Sequence, residues 1–329
     1  MKTYGDLKKL GTILDAVGRT PLLQLRRIGR GIRADVFAKL ELLNPMGSVK
    51  DRTAKYMVEK AERDGRLKRG ATIVDNSSGN TALGLAMVCA VKGYKLKMVV
   101  RDSTSPEKVN FLRTLNVELV FVDHTLPPEH PESYNNLAPR VAAETPGGYY
   151  LDQHNCRDNN EAHYVSTGPE IWEQMEGRID YFVAGVGTGG TICGVAKYLK
   201  EKDPRIKVIG VDPAGSIFAD YFHSGQIVPS HRYLLEGLGD EFLIGCVDFS
   251  LIDDMYKVTD KEAFRTTRDL TDKEGVLAGG SSGAAVWACL RLARQIDRPA
   301  RIITILADSA NRYLSTIYND DWLRTHDLL

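Results

Sequence analysis

The sequence predicts an α/β protein made of two domains with open, mostly parallel sheets. Its 329 residues exceed the ~100–200 residues of one typical domain. Two separate runs, residues 71–123 and from residue 179 onward, alternate strand-like apolar segments with helix-like segments, which is the pattern of parallel sheets with crossover helices. Between them, residues 125–132 carry prolines and histidines and are predicted to form an exposed loop.

The first run supplies three strands and, with the segment just upstream, three helices. The strands are predicted at residues 71–75, 95–100 and 117–122. The helices are predicted at residues 51–63, at 82–92 and from 106. Gly93 is a suitable helix stop, and Ser105 followed by proline is a suitable helix start. The helix at 51–63 is amphipathic, so one face is predicted to pack on a sheet or on another helix.

The second run repeats this alternation. Its strands are predicted at residues 181–186, 206–211 and 301–306. Its helices are predicted at residues 191–202, near 261–273 and from 284. Polar or glycine-rich loops at residues 187–190 and 279–283 precede two of these helices.

Composition and cysteine usage exclude several functional classes. Lys plus Arg and Asp plus Glu both number 43, and this neutral balance argues against nucleic-acid binding, which normally requires a basic excess. The five cysteines are widely spaced and lack a CxxC pair, and the histidines have no metal-ligand spacing, so no disulfide framework or metal site is expected. Residues 1–10 lack the apolar stretch of a signal peptide, and no run is long enough for a membrane helix. We therefore expect a cytoplasmic protein.

The glycine-rich loop at residues 185–191 is the strongest sign of phosphate binding in the chain. It lies between a predicted strand and a predicted helix, so its backbone can approach an anion and the helix N-terminus can supply N–H groups. The hydroxyls of Thr188 and Thr191 can add donors. The loop also fits the G-x-G-x-x-G pattern of dinucleotide-binding folds, with Asp212 about 20 residues further on. Both interpretations, and a tight turn without a ligand, are open at this point.

Three further loops carry polar groups at predicted helix starts. Residues 77–81, Ser-Ser-Gly-Asn-Thr, offer hydroxyls, an amide and N–H groups, which suit a carboxylate. Residues 279–283, Gly-Gly-Ser-Ser-Gly, form another such loop. Lys50 directly precedes the helix at 51–63, where the helix dipole disfavours a cation, and this favours the neutral, nucleophilic amine. Taken singly, each of these three features also fits an ordinary structural role.

Together, the four features resemble those of the fold-type II pyridoxal-phosphate enzymes, the family that includes cysteine synthase and cystathionine β-synthase. The resemblance runs from Gly18 to Trp322. The segments that look most like the cystathionine β-synthase branch are residues 61–67, 211–217, 236–239 and 307–313. The resemblance implies a smaller domain at residues 46–149, a larger domain formed by 12–45 and 150–329, and pyridoxal 5′-phosphate in the cleft between them.

The resemblance also assigns roles to individual residues. Lys50 would form the Schiff base and act as the catalytic base, Asn80 would bond the ring oxygen of the cofactor, and Ser281 would face its pyridine nitrogen. The cofactor phosphate would be held by Gly187, Thr188, Gly189, Gly190 and Thr191. The amino-acid substrate would be bound by Ser77, Ser78, Gly79, Thr81, Gln153 and Gly239.

The activity implied is β-replacement on L-serine or an O-activated serine through an aminoacrylate intermediate, with homocysteine as nucleophile to give cystathionine, in a homodimer. Alternatives are cysteine synthesis from O-acetylserine or O-phosphoserine and sulfide, or an amine nucleophile giving a diaminopropionate-type product. Departures from the family pattern at Arg101, Asp240 and residues 154–160 leave the nucleophile and leaving group open, and Arg101 is a candidate for binding a carboxylate. An NAD-dependent dehydrogenase or a non-catalytic homologue would leave Lys50 and Asn80 unexplained.

Overall fold

The computed structural model describes residues 9–127 and 129–329. Residues 1–8, where no signal peptide is expected, and position 128, in the predicted exposed loop, lie outside the described part. The chain divides into two compact units. Unit 1 contains the described residues through Arg19 together with Asn44–Met46 and Lys50–Tyr150. Unit 2 contains Thr20–Leu43, Gly47–Val49 and Leu151–Leu329.

Strands and helices alternate along most of the described chain. The strands are β1 Leu22–Gln24, β2 Asp35–Leu40, β3 Thr72–Asn76, β4 Lys95–Arg101, β5 Glu118–Val122, β6 Gly148–Tyr150, β7 Tyr181–Gly185, β8 Lys207–Pro213, β9 Asp254–Val258 and β10 Arg301–Leu306. The helices are α1 Lys50–Arg63, α2 Asn80–Lys92, α3 Pro106–Thr114, α4 Tyr134–Glu144, α5 Asp158–Tyr164, α6 Thr167–Gln174, α7 Gly190–Lys202, α8 Phe218–Ser224, α9 Asp260–Glu274, α10 Gly280–Gln295 and α11 Asp320–Thr325. Short 3₁₀ helices lie at Ile13–Ala16, Glu41–Leu43, Phe249–Leu251 and Ala310–Arg312.

Unit 1 is built on a parallel sheet with strand order β5-β4-β3-β6. In the register of β3 and β4, Asn76 lies opposite Val99, so Arg101 at the end of β4 is level with the loop that follows β3. Carboxyl ends of parallel strands meet at one edge, which is where ligands bind in open α/β sheets. The polar loop at residues 77–81 therefore begins at the functional edge of this sheet.

Helices α1 and α2 pack against each other within unit 1. The apolar stripe of α1, Ala54, Met57, Val58 and Ala61, is buried, as its helical spacing predicted. Burial of the larger side chains of this stripe, Met57 and Val58, stabilises the fold by about 1.5–3 kcal/mol each. Helix α2 is the more buried of the two, with every residue from Thr81 through Cys89 buried. The start of α1 is therefore held by packing along the rest of its length.

Unit 2 is built on a sheet of order β1-β2-β10-β7-β8-β9, in which β1 is antiparallel to β2 and the other pairs are parallel. Its central strands are buried on both faces. Phe182 of β7 packs in one apolar cluster with residues of α7, whereas Val183 packs in the other with residues of α10. This alternation is the period of two expected of a strand covered by helices on both sides.

The predicted fold class of two α/β units with mostly parallel sheets is confirmed. Several helices start earlier than predicted, among them α1, which includes Lys50, α2, which begins at Asn80, and α10, which begins at Gly280. In each case the polar or glycine residues assigned to a loop form the first helical turn, where their backbone N–H groups need no intrahelical partner. Short elements without periodic apolar residues, such as β1, β6 and α5, were not predicted. None of the described helices is long and apolar enough to cross a bilayer.

Candidate active site

Lys50 is the first residue of α1 and is half-buried. The neighbouring Asp51 is fully buried, and its Oδ2 accepts a hydrogen bond of 2.6 Å from the backbone N–H of Met46. This bond closes the turn that leads into the helix, and a carboxylate in the first turn is favoured by the helix dipole. The local sequence thus fixes the backbone position from which the Lys50 amine projects.

Gly84 brings the starts of α1 and α2 together. A Cβ built on Gly84 would lie 3.0 Å from the carbonyl oxygen of Lys50 and 3.1 Å from Cβ of Ala54. These distances are tighter than nearly all real Cβ contacts, so the approach of the two helices depends on glycine. Asn80 is one helical turn before Gly84. The structure therefore places Lys50 and Asn80 at adjacent helix starts within unit 1.

The loop at residues 77–81 follows β3 and runs into α2. The backbone N–H of Gly79 donates to Oγ of Ser77 at 3.2 Å, which folds the loop into a tight turn. Residues 77–80 are half-buried and Thr81 is buried. A Cβ on Gly79 would meet no protein atom within 4 Å, so neither packing nor a positive φ accounts for glycine here. Close approach of a substrate would account for it.

In unit 2, the loop between β7 and α7 is shaped by close contacts of its glycines. A Cβ on Gly187 would overlap the carbonyl oxygen of Gly237. Gly189 has a φ of +85°, which disfavours any side chain, and a Cβ on Gly190 would lie 2.9 Å from Nδ2 of Asn159. Because these three residues lack a Cβ, the backbone of the loop can lie in direct contact with neighbouring segments. A side chain at any of the three positions would clash with those segments.

This loop has the properties of an anion cradle. Helix α7 is 13 residues long, its N-cap is Gly189, and no side chain caps its N-terminus. The first N–H groups of the helix have no intrahelical partners and carry the positive end of its dipole. The hydroxyls of Thr188 and Thr191 flank them. The donor set is therefore neutral and convergent, and it fits a phosphate group.

Gly239 and Gln153 lie beside the same loop. The N–H of Gly239 donates to the carbonyl of Val186 at 2.8 Å, and Gly239 has a φ of +72°. The Gln153 residue is buried, and its carbonyl accepts 2.7 Å from Nδ2 of Asn159. The structure thus brings both predicted substrate-binding residues of unit 2 next to the predicted phosphate loop.

Ser281 is buried in the first turn of α10. The N-cap of this helix, Gly279, packs so closely that a Cβ on it would lie 2.5 Å from the ring of Tyr313 and would overlap Oδ1 of Asp308. The backbone N–H of Gly279 donates to the carbonyl of Asp308 at 3.0 Å, and the Tyr313 hydroxyl donates to Oδ2 of Asp308 at 2.8 Å. Burial and the Asp308 charge hold the pKa of Tyr313 well above its usual value. A neutral serine is thus presented by a rigidly packed helix start.

Two residues of α5 that the sequence did not single out contact the predicted phosphate loop. Asn159 donates from Nδ2 to Oγ1 of Thr188 at 3.0 Å, and Nε2 of His163 lies 3.2 Å from Oγ1 of Thr191. Both side chains are fully buried. Their spacing of four residues on one helix was a detectable signal, but α5 itself lacks the apolar periodicity that would have predicted a helix.

The dinucleotide interpretation required Asp212 to face a ribose, but in the structure this side chain is buried inside unit 2. Asp212 is fully buried, and its Oδ2 accepts 2.9 Å from the backbone N–H of Ala219 at the start of α8. Burial raises the pKa of Asp212 to about 6. Its role is to anchor a helix inside unit 2.

Arg101 ends β4 at the functional edge of the unit 1 sheet and is exposed. Its guanidinium lies 4.7 Å from the ring centre of Tyr134, a distance typical of a cation–π contact. The adjacent Asp102 is hydrogen-bonded to His124, with 2.7 Å between Oδ1 of Asp102 and the ring Nδ1 of His124. Asn76, the residue before the loop at residues 77–81, donates from Nδ2 to Oδ1 of Asn135, the neighbour of Tyr134, at 3.1 Å.

An amine at a helix start and a separate anion cradle are the features of enzymes that hold a phosphorylated aldehyde cofactor. Residues 13–308 match the model of the family described as pyridoxal-phosphate dependent enzyme. The chain therefore belongs to this family, as its motifs predicted. Its cofactor is pyridoxal 5′-phosphate, and the residues of the cradle fit the phosphate of that group.

Relatives of known type cover nearly the whole chain. A cystathionine β-synthase of Apis mellifera is 42% identical over 328 residues, covering 99% of this chain but only 65% of that protein. The chain thus spans just under two thirds of that relative. A cysteine synthase of Staphylococcus aureus is 39% identical over 317 residues, covering 95% of this chain and 99% of that enzyme.

Solved structures show the same architecture. An O-acetylserine dependent cystathionine β-synthase from Helicobacter pylori has a TM-score of 0.87 at 35% identity, covering 95% of this chain and all of the other. A hydrogen sulfide-producing enzyme from Fusobacterium nucleatum has a TM-score of 0.85 at 33% identity, covering 93% of this chain and all of the other. The protein is therefore similar to both cystathionine- and cysteine-forming enzymes.

Proposed function

We propose that the protein catalyses β-replacement on L-serine or an O-activated serine, with homocysteine as the nucleophile and cystathionine as the product. The observation that carries this proposal is the arrangement at the start of α1 and α2. There, the Lys50 amine and the Ser77–Thr81 loop belong to one unit and are linked through the glycine contact at Gly84. An amine beside a carboxylate-binding loop suits an α-amino acid substrate.

The residues of the chain divide the chemistry among them. Pyridoxal phosphate, when bound, supplies an electron sink that acidifies the α-proton of an amino acid and allows its β-substituent to leave. Nζ of Lys50 would hold the cofactor and would accept the α-proton as a general base. Hydroxyl and N–H groups of residues 77–81 would orient the substrate carboxylate. Ser281, being neutral, would add no negative charge beside the ring nitrogen, which favours elimination over a long-lived carbanion.

Arg101 supports a nucleophile that carries a carboxylate. It stands level with the substrate loop on the neighbouring strand, and its stacking on Tyr134 restrains the guanidinium. The nearby Asp102 carboxylate is bonded to His124, whose contact lowers the pKa of Asp102. A fixed guanidinium at a sheet edge suits a carboxylate of homocysteine, whereas hydrosulfide would need no such group.

Product analysis tests the proposal. Serine, O-acetylserine and O-phosphoserine are each paired with homocysteine, sulfide and amino-acid amines, and products are quantified by mass spectrometry. We expect cystathionine as the main product in competition between the nucleophiles. Cysteine or a diaminopropionate-type product as the main product would contradict the choice of homocysteine while leaving β-replacement intact. No product from any pair would contradict β-replacement itself.

The Arg101→Ala variant tests the nucleophile site. Loss of one charge-assisted hydrogen bond at an exposed position should raise KM for homocysteine by roughly tenfold, with KM for sulfide and for the serine substrate unchanged. Arg113→Ala, which removes an exposed arginine from α3, is the matched control. An unchanged KM for homocysteine in Arg101→Ala would refute the role of Arg101.

We also propose, from the family resemblance, that the protein is a homodimer located in the cytoplasm. The oligomeric state and the location are tested separately. Sedimentation equilibrium of the full chain would measure the first, with twice the 36.5 kDa chain mass expected. A monomer at micromolar concentration would contradict it. Fractionation of the source cells would measure the second.

A further inference from the structure

Helix α5 packs against the first turns of α7, directly after the predicted phosphate loop. A Cβ on Gly190 would lie 2.9 Å from Nδ2 of Asn159, and a Cβ on Gly194 would lie 2.8 Å from Cβ of His163. The two glycines are four positions apart on α7, and the two polar residues are four positions apart on α5. Gly190 therefore faces Asn159, and one helical turn later Gly194 faces His163. This close packing places the buried side chains of Asn159 and His163 against the start of α7.

The orientation of the Asn159 amide follows from its partners. The carbonyl oxygen of Gln153, 2.7 Å from Nδ2, can only accept, so the amide nitrogen must face it. The same nitrogen lies 3.0 Å from Oγ1 of Thr188, and it must donate there too. Oγ1 of Thr188 therefore accepts a hydrogen bond from α5, and its own hydroxyl proton points elsewhere.

The tautomer of His163 is set by the anion proposed for the loop, because both of its partners are hydroxyls that can donate or accept. Its Nδ1 lies 2.9 Å from Oγ1 of Thr167, and its Nε2 lies 3.2 Å from Oγ1 of Thr191. If Nε2 accepted from Thr191, that hydroxyl would turn a lone pair toward a bound phosphate and repel it. If Thr167 donates to Nδ1, then Nε2–H donates to Thr191, and the Thr191 hydroxyl proton is directed to the anion.

We propose that Asn159 and His163 are positioning residues that orient the hydroxyl protons of Thr188 and Thr191 toward the cofactor phosphate. Each hydroxyl accepts from α5 and donates to the phosphate, so both act as donors toward a dianion that offers only acceptors. The inference rests on the proposed phosphate role of residues 187–191. It does not depend on which nucleophile the enzyme uses.

The test compares pyridoxal phosphate with pyridoxal, which lacks the phosphate, in binding to cofactor-stripped full-length protein. His163→Asn removes the Nε2 donor and should weaken pyridoxal phosphate binding by about tenfold with pyridoxal binding unchanged. His163→Gln keeps a donor near the Nε2 position and should stay within about twofold of the wild-type affinity. Ser166→Ala, which loses only a hydrogen bond to the Ala162 carbonyl, is the control and should bind both compounds normally.

A second arm guards against general damage to the fold. The Thr191→Val variant lacks the hydroxyl that accepts the hydrogen bond from Nε2 of His163. If His163 acts only through that hydroxyl, adding His163→Asn to this variant should not weaken pyridoxal phosphate binding further. The ³¹P resonance of the bound cofactor should shift in His163→Asn and return toward its wild-type position in His163→Gln.

Three results would overturn the inference. One is an equal loss of affinity for pyridoxal phosphate and pyridoxal in His163→Asn, which would indicate structural damage alone. Another is a His163→Gln variant as weak as His163→Asn. The third is a full effect of His163→Asn in the Thr191→Val background. Failure of the β-replacement assay with intact cofactor binding would instead contradict only the proposed function.

Discussion

The substitution Gly189→Ala should damage both the stability of the protein and its hold on the cofactor. Gly189 has a φ of +85°, and placing a residue with a Cβ there costs about 1–2 kcal/mol. Its Cβ would also lie 2.8 Å from the carbonyl oxygen of Cys246, where an ordinary carbon–oxygen contact is about 3.3 Å, so a shift of roughly 0.5 Å is required. Overpacking of this kind costs about 1–3 kcal/mol. The two effects together predict a loss of about 2–5 kcal/mol.

A shift of the anion cradle also misplaces its donors. We expect the affinity for pyridoxal phosphate to fall by on the order of 10²-fold, because several N–H donors move together. Gly225→Ala is the matched control, since Gly225 has a φ of +71° but its Cβ would meet no atom within 4 Å. It should cost only about 1–2 kcal/mol and leave cofactor binding unchanged.

Urea unfolding of the cofactor-stripped proteins and cofactor titration of the same samples measure the two effects. The difference in unfolding free energy between the two variants isolates the contact with Cys246 from the cost of the left-handed backbone. The reasoning would be refuted if Gly189→Ala and Gly225→Ala had equal stability and equal cofactor affinity.

Three other substitutions give separate predictions. Burial raises the pKa of Asp212 from 3.8 to about 6, so the folded protein binds a proton at this carboxyl group more tightly than the unfolded chain does. The free energy of unfolding of the wild type therefore falls as the pH rises from about 4 to above 6. Asp212→Asn should therefore gain stability relative to the wild type, by on the order of 3 kcal/mol, between about pH 4 and about pH 7 in urea titrations; a pH-independent difference would contradict this. Gly283→Ala places a Cβ 2.7 Å from the backbone nitrogen of Thr267 and should lower unfolding free energy by about 1–3 kcal/mol, whereas an unchanged melting curve would show that α10 and α9 separate freely. Tyr313→Phe removes a buried hydrogen bond to Asp308 and should cost about 1–3 kcal/mol by the same assay, with a neutral effect arguing against that bond.

The regular part of the fold was predictable because its signals are local. Strand β7 and helix α7 are adjacent apolar segments separated by glycines, and both were predicted within one residue at each end. The amphipathic stripe of α1 predicted which face is buried. The glycines and threonines of residues 187–191 predicted an anion site because they stand at a strand-to-helix junction, and the structure places them at a helix N-terminus that no side chain caps.

The support of the site was not predictable, because it depends on contacts distant in sequence. Asn159 and His163 contact Thr188 and Thr191. Their spacing of four residues places them on one face of a helix, but nothing in the sequence of α5 indicates that this face packs on Gly190 and Gly194 of α7. Tertiary packing, not propensity, forms this short helix. The proposed choice of nucleophile rests on Arg101, an exposed residue at the end of β4, where the periodicity of the strand carries no information.

Attachment of the cofactor to Lys50 is the claim on which the account rests. Reduction of the holoenzyme with borohydride fixes the cofactor to the amine that holds it, and peptide mapping by mass spectrometry then locates the label. The account predicts the label on the peptide containing Lys50, and its loss in Lys50→Ala with the protein still folded. A label on another lysine of the wild-type protein, or an undiminished label in Lys50→Ala, would contradict it.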